Sequence, residues 1–253
     1  MIETKNISKS LGRLKVLDNI SVKFDPGKTN LVIGQSGSGK TVFLKCLIGL
    51  FDPDEGSVMY DDVVFNKLPF KAKKKIRQKV GMMFQGGALF DSATVIENIM
   101  YPLDMFTQLS FQEKKERARF CLDRVDIKDA GHLFPAEISG GMQKRVALAR
   151  AIALNPDYLF CDEPNSGLDP KTAILIDALI KEITKEFNMT TVVNTHDMNS
   201  VMEIGEKVVF IYQGRKLWEG SNKDILDSSN EELNQFVFAN NLAKQLKKMN
   251  QDV

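Results

Sequence analysis

An α/β fold built on a mostly parallel sheet is what this sequence predicts, and three observations predict it. Apolar β-type runs alternate with amphipathic stretches along most of the chain, the pattern of strands joined by crossover helices. The run Asn30-Leu31-Val32-Ile33 feeds directly into a glycine loop, residues 34–41, and then into a helix-like run, 42–50. A chain of 253 residues, 43% hydrophobic and 26% charged, has the size and composition of one large globular domain.

The elements follow in order. Runs 2–6, 20–24 and 29–33 read as strands, with Asp25-Pro26-Gly27 turning the chain between the last two. Runs 56–60 and 80–84 continue the series. Residues 111–125 read as an amphipathic helix, with Ser110 as N-cap and Glu113 three positions later. Residues 140–154 and 171–187 read as helices, 158–161 and 190–194 as strands. Runs 208–212 and 215–219, joined by Gln213-Gly214, form a hairpin. This alternation puts antiparallel β at the N-terminal edge of a largely parallel, helix-covered sheet.

Residues 91–136 are helix-rich without a strong strand, and read as a helical subdomain inserted into an α/β core of residues 1–90 and 137–230. A tail, 231–253, carries Leu233, Phe236, Val237, Leu242 and Leu246 at roughly helical spacing and completes the single domain 1–253. With Phe236 and Phe238 it either docks on its own core or packs on a partner.

Composition excludes several classes. A net charge of +1 argues against a whole-protein nucleic-acid footprint. No apolar run approaches the ~20 residues that span a bilayer, and Met1-Ile2-Glu3-Thr4-Lys5 lacks the apolar core of a secretory signal. Cys46, Cys121 and Cys161 are widely spaced and read as reduced core thiols of a cytosolic protein. The basic run 71–79 reads as a solvated helix face, a surface near anionic lipid headgroups, or a nucleic-acid contact.

Gly34-Gln35-Ser36-Gly37-Ser38-Gly39-Lys40-Thr41 fits G-x-x-x-x-G-K-[ST]. A strand running through such a loop into a helix aims successive N–H groups at one point, a socket for polyanions. Lys40 reaches terminal phosphates, and Thr41 offers a hydroxyl to Mg²⁺. Tyr158-Leu159-Phe160-Cys161-Asp162-Glu163 is an apolar strand ending in two acids. Alone it would be a strand with solvated acids. Beside a phosphate loop, Asp162 suits Mg²⁺ and Glu163 suits an attacking water. Ser139-Gly140-Gly141 opens an Ala/Leu-rich helix, as a plain N-cap or as a second anion site.

Together these segments resemble the nucleotide-binding subunit of an ATP-binding-cassette (ABC) transporter, a P-loop NTPase of ABC type, over nearly the whole chain. Residues 34–41 resemble its Walker A loop, 158–162 its Walker B strand with Glu163 at the catalytic base, and 139–141 its signature. Gln85 stands at the Q-loop glutamine, Ser166-Gly167-Leu168-Asp169 at the D-loop, and His196 at the switch histidine. The resemblance implies ATP and Mg²⁺ as cofactors, with Thr41, Gln85 and Asp162 at the metal and Glu163, His196 and Gln85 in catalysis. It implies a head-to-tail dimer sandwiching two ATP, each held by the phosphate loop of one copy and by the signature of the other. It also implies a membrane permease whose coupling helix enters a groove on the helical subdomain, and a place on the cytoplasmic face of the cell membrane.

Four positions depart from the family pattern. Leu11 replaces an aromatic that stacks on adenine, and Val42 a second hydroxyl after Thr41. Met142 and Gly167 replace a common glutamine and alanine. None removes an essential charge, so an active ATPase is expected. Residues 84–91, Tyr101-Pro102-Leu103 and Met142 resemble the ATPases of MCE-domain (Mla-type) phospholipid-trafficking systems, which implies an MCE-domain partner. An importer of a small polar solute such as an amino acid is the alternative. Gly34 and Ser139 are too close in sequence for the long coiled-coil arm of cassette ATPases that act on nucleic acid.

Overall fold

The computed structural model describes residues 1–237, so Phe238, Leu242 and Leu246 of the tail lie outside the described residues. The chain folds as two compact units. The first comprises Met1–Phe24, Asn30–Lys67 and, of the described residues, 194–237; the second comprises Asp25–Thr29 and Leu68–Val193.

In the first unit, β1 (Ile2–Leu11) and β2 (Leu14–Phe24) form an antiparallel pair joined at Gly12. β4 (Glu55–Tyr60) pairs with the other edge of β1, and β5 (Val63–Val64) with β4, giving the order β2-β1-β4-β5. The strands are longer than the runs 2–6 and 20–24 suggest. Residues 7–19 interleave apolar residues with Lys9, Gly12, Lys15, Asp18 and Asn19, poor strand formers on their own, and pair only through bulges between Thr4 and Ser10. Ile7, Leu17, Ile20 and Phe24 point into the core from this sheet, and the Phe24 ring meets Phe43 of α1 (Lys40–Leu47) at 6.2 Å. Truncating such a ring costs about 3–5 kcal/mol.

β3 (Thr29–Ile33) runs parallel to β9 (Lys207–Tyr212), with Val32 opposite Val209. β10 (Arg215–Gly220) closes the expected hairpin on β9, with Arg215 opposite Tyr212. α7 (Met198–Ile204) and α8 (Glu231–Val237) complete this unit; Phe236 of α8 packs its ring against Phe210 of β9, 5.5 Å away.

The second unit carries α2 (Phe70–Arg77) and the parallel pair β6 (Val80–Met83) and β7 (Tyr158–Asp162), Gly81 opposite Leu159, with β8 (Thr190–Thr195) beside β7. Its helices are α3 (Val95–Phe106), α4 (Phe111–Arg124), α5 (Gly140–Ala151) and α6 (Pro170–Glu186). Ser110 caps α4 in the expected box: Glu113 N–H donates to its hydroxyl, and the Ser110 N–H donates to the Glu113 carboxylate at 2.7 Å. Thr94 and Glu97 repeat the device on α3. β6 and β7 end level with each other, so two loops leave one edge of the unit together: residues 84–90 and residues 163–169.

Candidate nucleotide site

The phosphate loop belongs to the first unit. Gly34 lies at φ 151°, and a Cβ there would sit 2.1 Å from the Ile211 carbonyl and 2.8 Å from Ser38 Oγ, so only glycine leaves β3 this way. Lys40 starts α1 and is buried; its ammonium donates to the carbonyls of Gly34 at 2.9 Å and Gln35 at 3.1 Å. Ser38 N–H donates to Gln35 O, and Gly214 N–H to Ser38 O, which ties the loop to the β9–β10 turn. Ser38 Oγ is buried without a hydrogen-bond partner among the described residues. Gln35, Ser36 and Gly37 are exposed, as is Thr41, while Val42 is half-buried. A loop bound back by its own lysine, with an exposed crest at Gln35, Ser36 and Gly37 ahead of a helix start and an orphaned hydroxyl, fits a nucleotide polyphosphate.

Thr41 has a neighbour that sequence reasoning missed: Asn194, near the end of β8, donates from its amide to Thr41 Oγ1 at 3.4 Å. Two residues on, His196 is exposed in a short turn. That turn is pinned on its far side, where Asp197 N–H donates to Thr195 Oγ1 at 3.0 Å and the Asp197 carboxylate caps α7 by accepting from Asn199 N–H at 2.9 Å. Leu11 is exposed at the end of β1, opposite Leu14.

The other predicted residues belong to the second unit. Asp162 is the last residue of β7 and is buried. Glu163 follows at φ 49°, a left-handed conformation that costs a non-glycine residue roughly 1–3 kcal/mol and persists where surrounding structure enforces it. The chain then turns through Ser166 N–H to Glu163 O and Leu168 N–H to Asn165 O. Asp169 ends this turn and caps α6, accepting from Lys171 and Thr172 N–H at 3.1 Å and from the Thr172 hydroxyl. Those hydrogen bonds, led by the Thr172 hydroxyl, hold its carboxyl below the usual range.

Gln85 is exposed on the neighbouring loop, and its side-chain amide donates to Ser166 Oγ at 3.3 Å. Its main chain is gripped from α5. Lys144, buried, donates to the Gln85 carbonyl; Arg150 donates to the carbonyls of Gly87 at 2.7 Å and Ala88 at 2.8 Å. Burial holds the Lys144 ammonium below the usual lysine range, and the negative charge of Glu163 opposes that shift. Neither cation is legible as part of the site in the sequence, because a Lys and an Arg on a helix ordinarily mark its solvated face.

Ser139 begins the same helix as an exposed N-cap, its hydroxyl accepting from Met142 N–H at 3.2 Å. A Cβ at Gly140 would meet open space, whereas one at Gly141 would lie 2.6 Å from the Thr172 methyl. Gly140 therefore leaves the helix start open, and Gly141 allows α6 to approach.

The model described as ABC transporter matches residues 17–166, more than half of the chain. The chain belongs to the ABC transporter family. It is the ATP-hydrolysing subunit of such a transporter. This ATPase is 34% identical over 237 residues to the intermembrane phospholipid transport system ATP-binding protein MlaF of Haemophilus influenzae, covering 94% of this chain and 90% of that one. It is 39% identical over 228 residues to the arginine transport ATP-binding protein ArtM of Bacillus subtilis, covering 90% and 94%. The dimeric post-hydrolysis structure of the ATP-binding cassette MJ0796 bound to ADP and Pi superimposes with a TM-score of 0.80 at 33% identity, covering 88% of this chain and 99% of that one. No helix among the described residues of the ATPase is long and apolar enough to cross a membrane. Its three cysteines are buried, and desolvation pushes the thiols of Cys46 and Cys121 up to about 11.

Proposed function

We propose that the ATPase drives phospholipid movement by a permease that works with an MCE-domain protein, at the cytoplasmic face of the cell membrane. It acts as a head-to-tail pair of copies. One observation carries the lipid reading. Phe84, Ala88, Phe90, Tyr101 and Pro102, from the two stretches whose sequence resembles MCE-system ATPases, line part of a groove of about 370 Å³ in the second unit. Phe84, Phe90, Tyr101 and Phe106 expose apolar surface around it, and the Phe90 and Tyr101 rings pack at 4.6 Å. An apolar groove bordered by Arg77 and Arg150 suits an amphipathic permease segment. Residues 91–136 then form the permease-facing subdomain. Similarity to MlaF over 94% of the chain supports this reading.

The residues divide the chemistry. Lys40 and the N–H groups of residues 34–41 draw the β- and γ-phosphates into place, Val42 contributing its main chain and Leu11 an aliphatic surface for the base. Thr41, Asp162 and Gln85 supply the hard oxygen donors that suit Mg²⁺. A Mg²⁺ held by these residues would offset the negative charge that builds on the phosphates. Glu163 orients the attacking water and takes its proton. His196 faces the γ-phosphate. Ser139, Gly140 and Gly141 present the N-terminus of α5 to the ATP held by the other copy, and Asp169 fixes the turn carrying Ser166.

Similarity to ArtM favours a second reading, an importer of a polar solute. Membranes from the native host, solubilised with ATP and tagged Glu163→Gln protein, separate the two. Recovery of a permease with an MCE-domain protein is the expected outcome. Recovery of a permease with a solute-binding protein overturns the lipid reading.

A further inference from the structure

α2 is a costly helix. Its N-cap is Pro69, with no side-chain cap, and its first turn has no acid. Lys71 instead stands in that first turn, against the positive end of the helix dipole. Lys71, Lys74 and Lys75 are exposed at i, i+3 and i+4, where like charges face and repel one another. No Asp or Glu occurs from residue 63 to residue 90 to offset them. Among the described residues, none of the three makes a side-chain hydrogen bond or ion pair. At the head of this lysine face stands Phe70, 73% exposed, more than any other large hydrophobic side chain described. No residue of α2 is fully buried.

We propose that α2 rests on the anionic headgroups of the bilayer that houses the permease, with Lys71, Lys74 and Lys75 over the charge and Phe70 entering the interface. A lone cation cluster fits any polyanion. The exposed ring beside it favours an amphipathic interface, where apolar burial adds to charge attraction. The chain as a whole offers no general basic field, since its net charge, α2 included, is only +1. Placement agrees: Arg77, the last residue of α2, borders the apolar groove assigned to the permease. The contact adds a second attachment beside the permease, and surface lysines at a charged leaflet act roughly independently.

The test uses the purified full chain and sedimented vesicles of phosphatidylcholine with or without phosphatidylglycerol. The protein partitions onto the phosphatidylglycerol vesicles and leaves them as salt rises. The triple variant K71Q/K74Q/K75Q loses about a hundredfold in partitioning, Phe70→Ser about tenfold, and both retain ATP turnover and helical content. No binding of the native chain to anionic vesicles at low salt overturns the proposal. So does equal binding to neutral vesicles, or a triple variant that binds as the native chain does. A triple variant that loses only its association with solubilised permease assigns the lysines to a protein surface, and also overturns it.

Discussion

Two loops of this ATPase are each held by a lysine, and they are built in opposite ways. In residues 34–39 the grip is local: Lys40, at the start of the very next helix, donates to Gly34 O and Gln35 O. In residues 85–88 it is remote, because Lys144 and Arg150 reach across from α5. A loop closed by its own neighbour forms whenever its helix forms. One closed by a distant helix moves with that helix. The first arrangement suits a fixed polyphosphate socket, and the second a segment that reports the position of α5, which Ser139 begins, to Gln85 and Ser166.

The contrast breaks or holds on substitutions. Lys40→Ala has the largest effect: nucleotide affinity falls with phosphate release, the latter by about 10²–10³-fold or more. Unchanged turnover would remove the phosphate loop from the mechanism. Glu163→Gln comes next, lowering phosphate release by about 10²–10⁴-fold while nucleotide binding persists; loss of binding instead would make it a structural residue. Lys144→Met leaves Gln85 O without its donor and lowers kcat about tenfold, with KM for ATP within about twofold and partial rescue by Lys144→Arg. Should KM rise as steeply as kcat falls, the remote loop belongs to nucleotide binding and the contrast fails.

Smaller effects sharpen it. Ser110→Ala and Ser139→Ala each remove an N-cap, costing about 1 kcal/mol in denaturant unfolding. Only Ser139→Ala also lowers ATP turnover; equal turnover in both would reduce Ser139 to a cap. The smallest effect is in acid. Hydrogen bonds from the hydroxyl and N–H of Ser110 hold the Glu113 carboxyl below its usual range. Because the folded value is depressed, its stabilisation is complete above the unfolded carboxylate pKa and disappears as pH falls through the folded one. The Tm gap between native protein and Glu113→Gln therefore narrows on acidification from neutral pH. A gap independent of pH would assign Glu113 a packing role.

Much of this was legible in the chain. Gly34 to Thr41, the strand ending at Asp162, the cap at Ser110 and the hairpin around Gln213-Gly214 each carry their signal in a few consecutive residues. What escaped was long-range. Local propensity would stop α3 before Pro102, which has no N–H to donate; the helix continues to Phe106 because Val95, Ile99 and Leu103 bury one side of it. The short α7 carries too few apolar residues to show a period. Asn194, a polar residue in a buried strand, gave no signal of the hydroxyl it meets.

By itself the sequence determined where the glycine loop runs into its helix, which strand ends in paired acids and which serines start helices. Those features are written in runs of consecutive residues, whose spacing and backbone preferences suffice to show them. Tertiary structure alone decided that Glu163 sits at positive φ, that Gln85 meets Ser166, and that Lys144 and Arg150 are turned inward. A buried cation must find carbonyl oxygens, and which carbonyls lie within reach depends on where β6 and α5 come to rest, which no local pattern encodes.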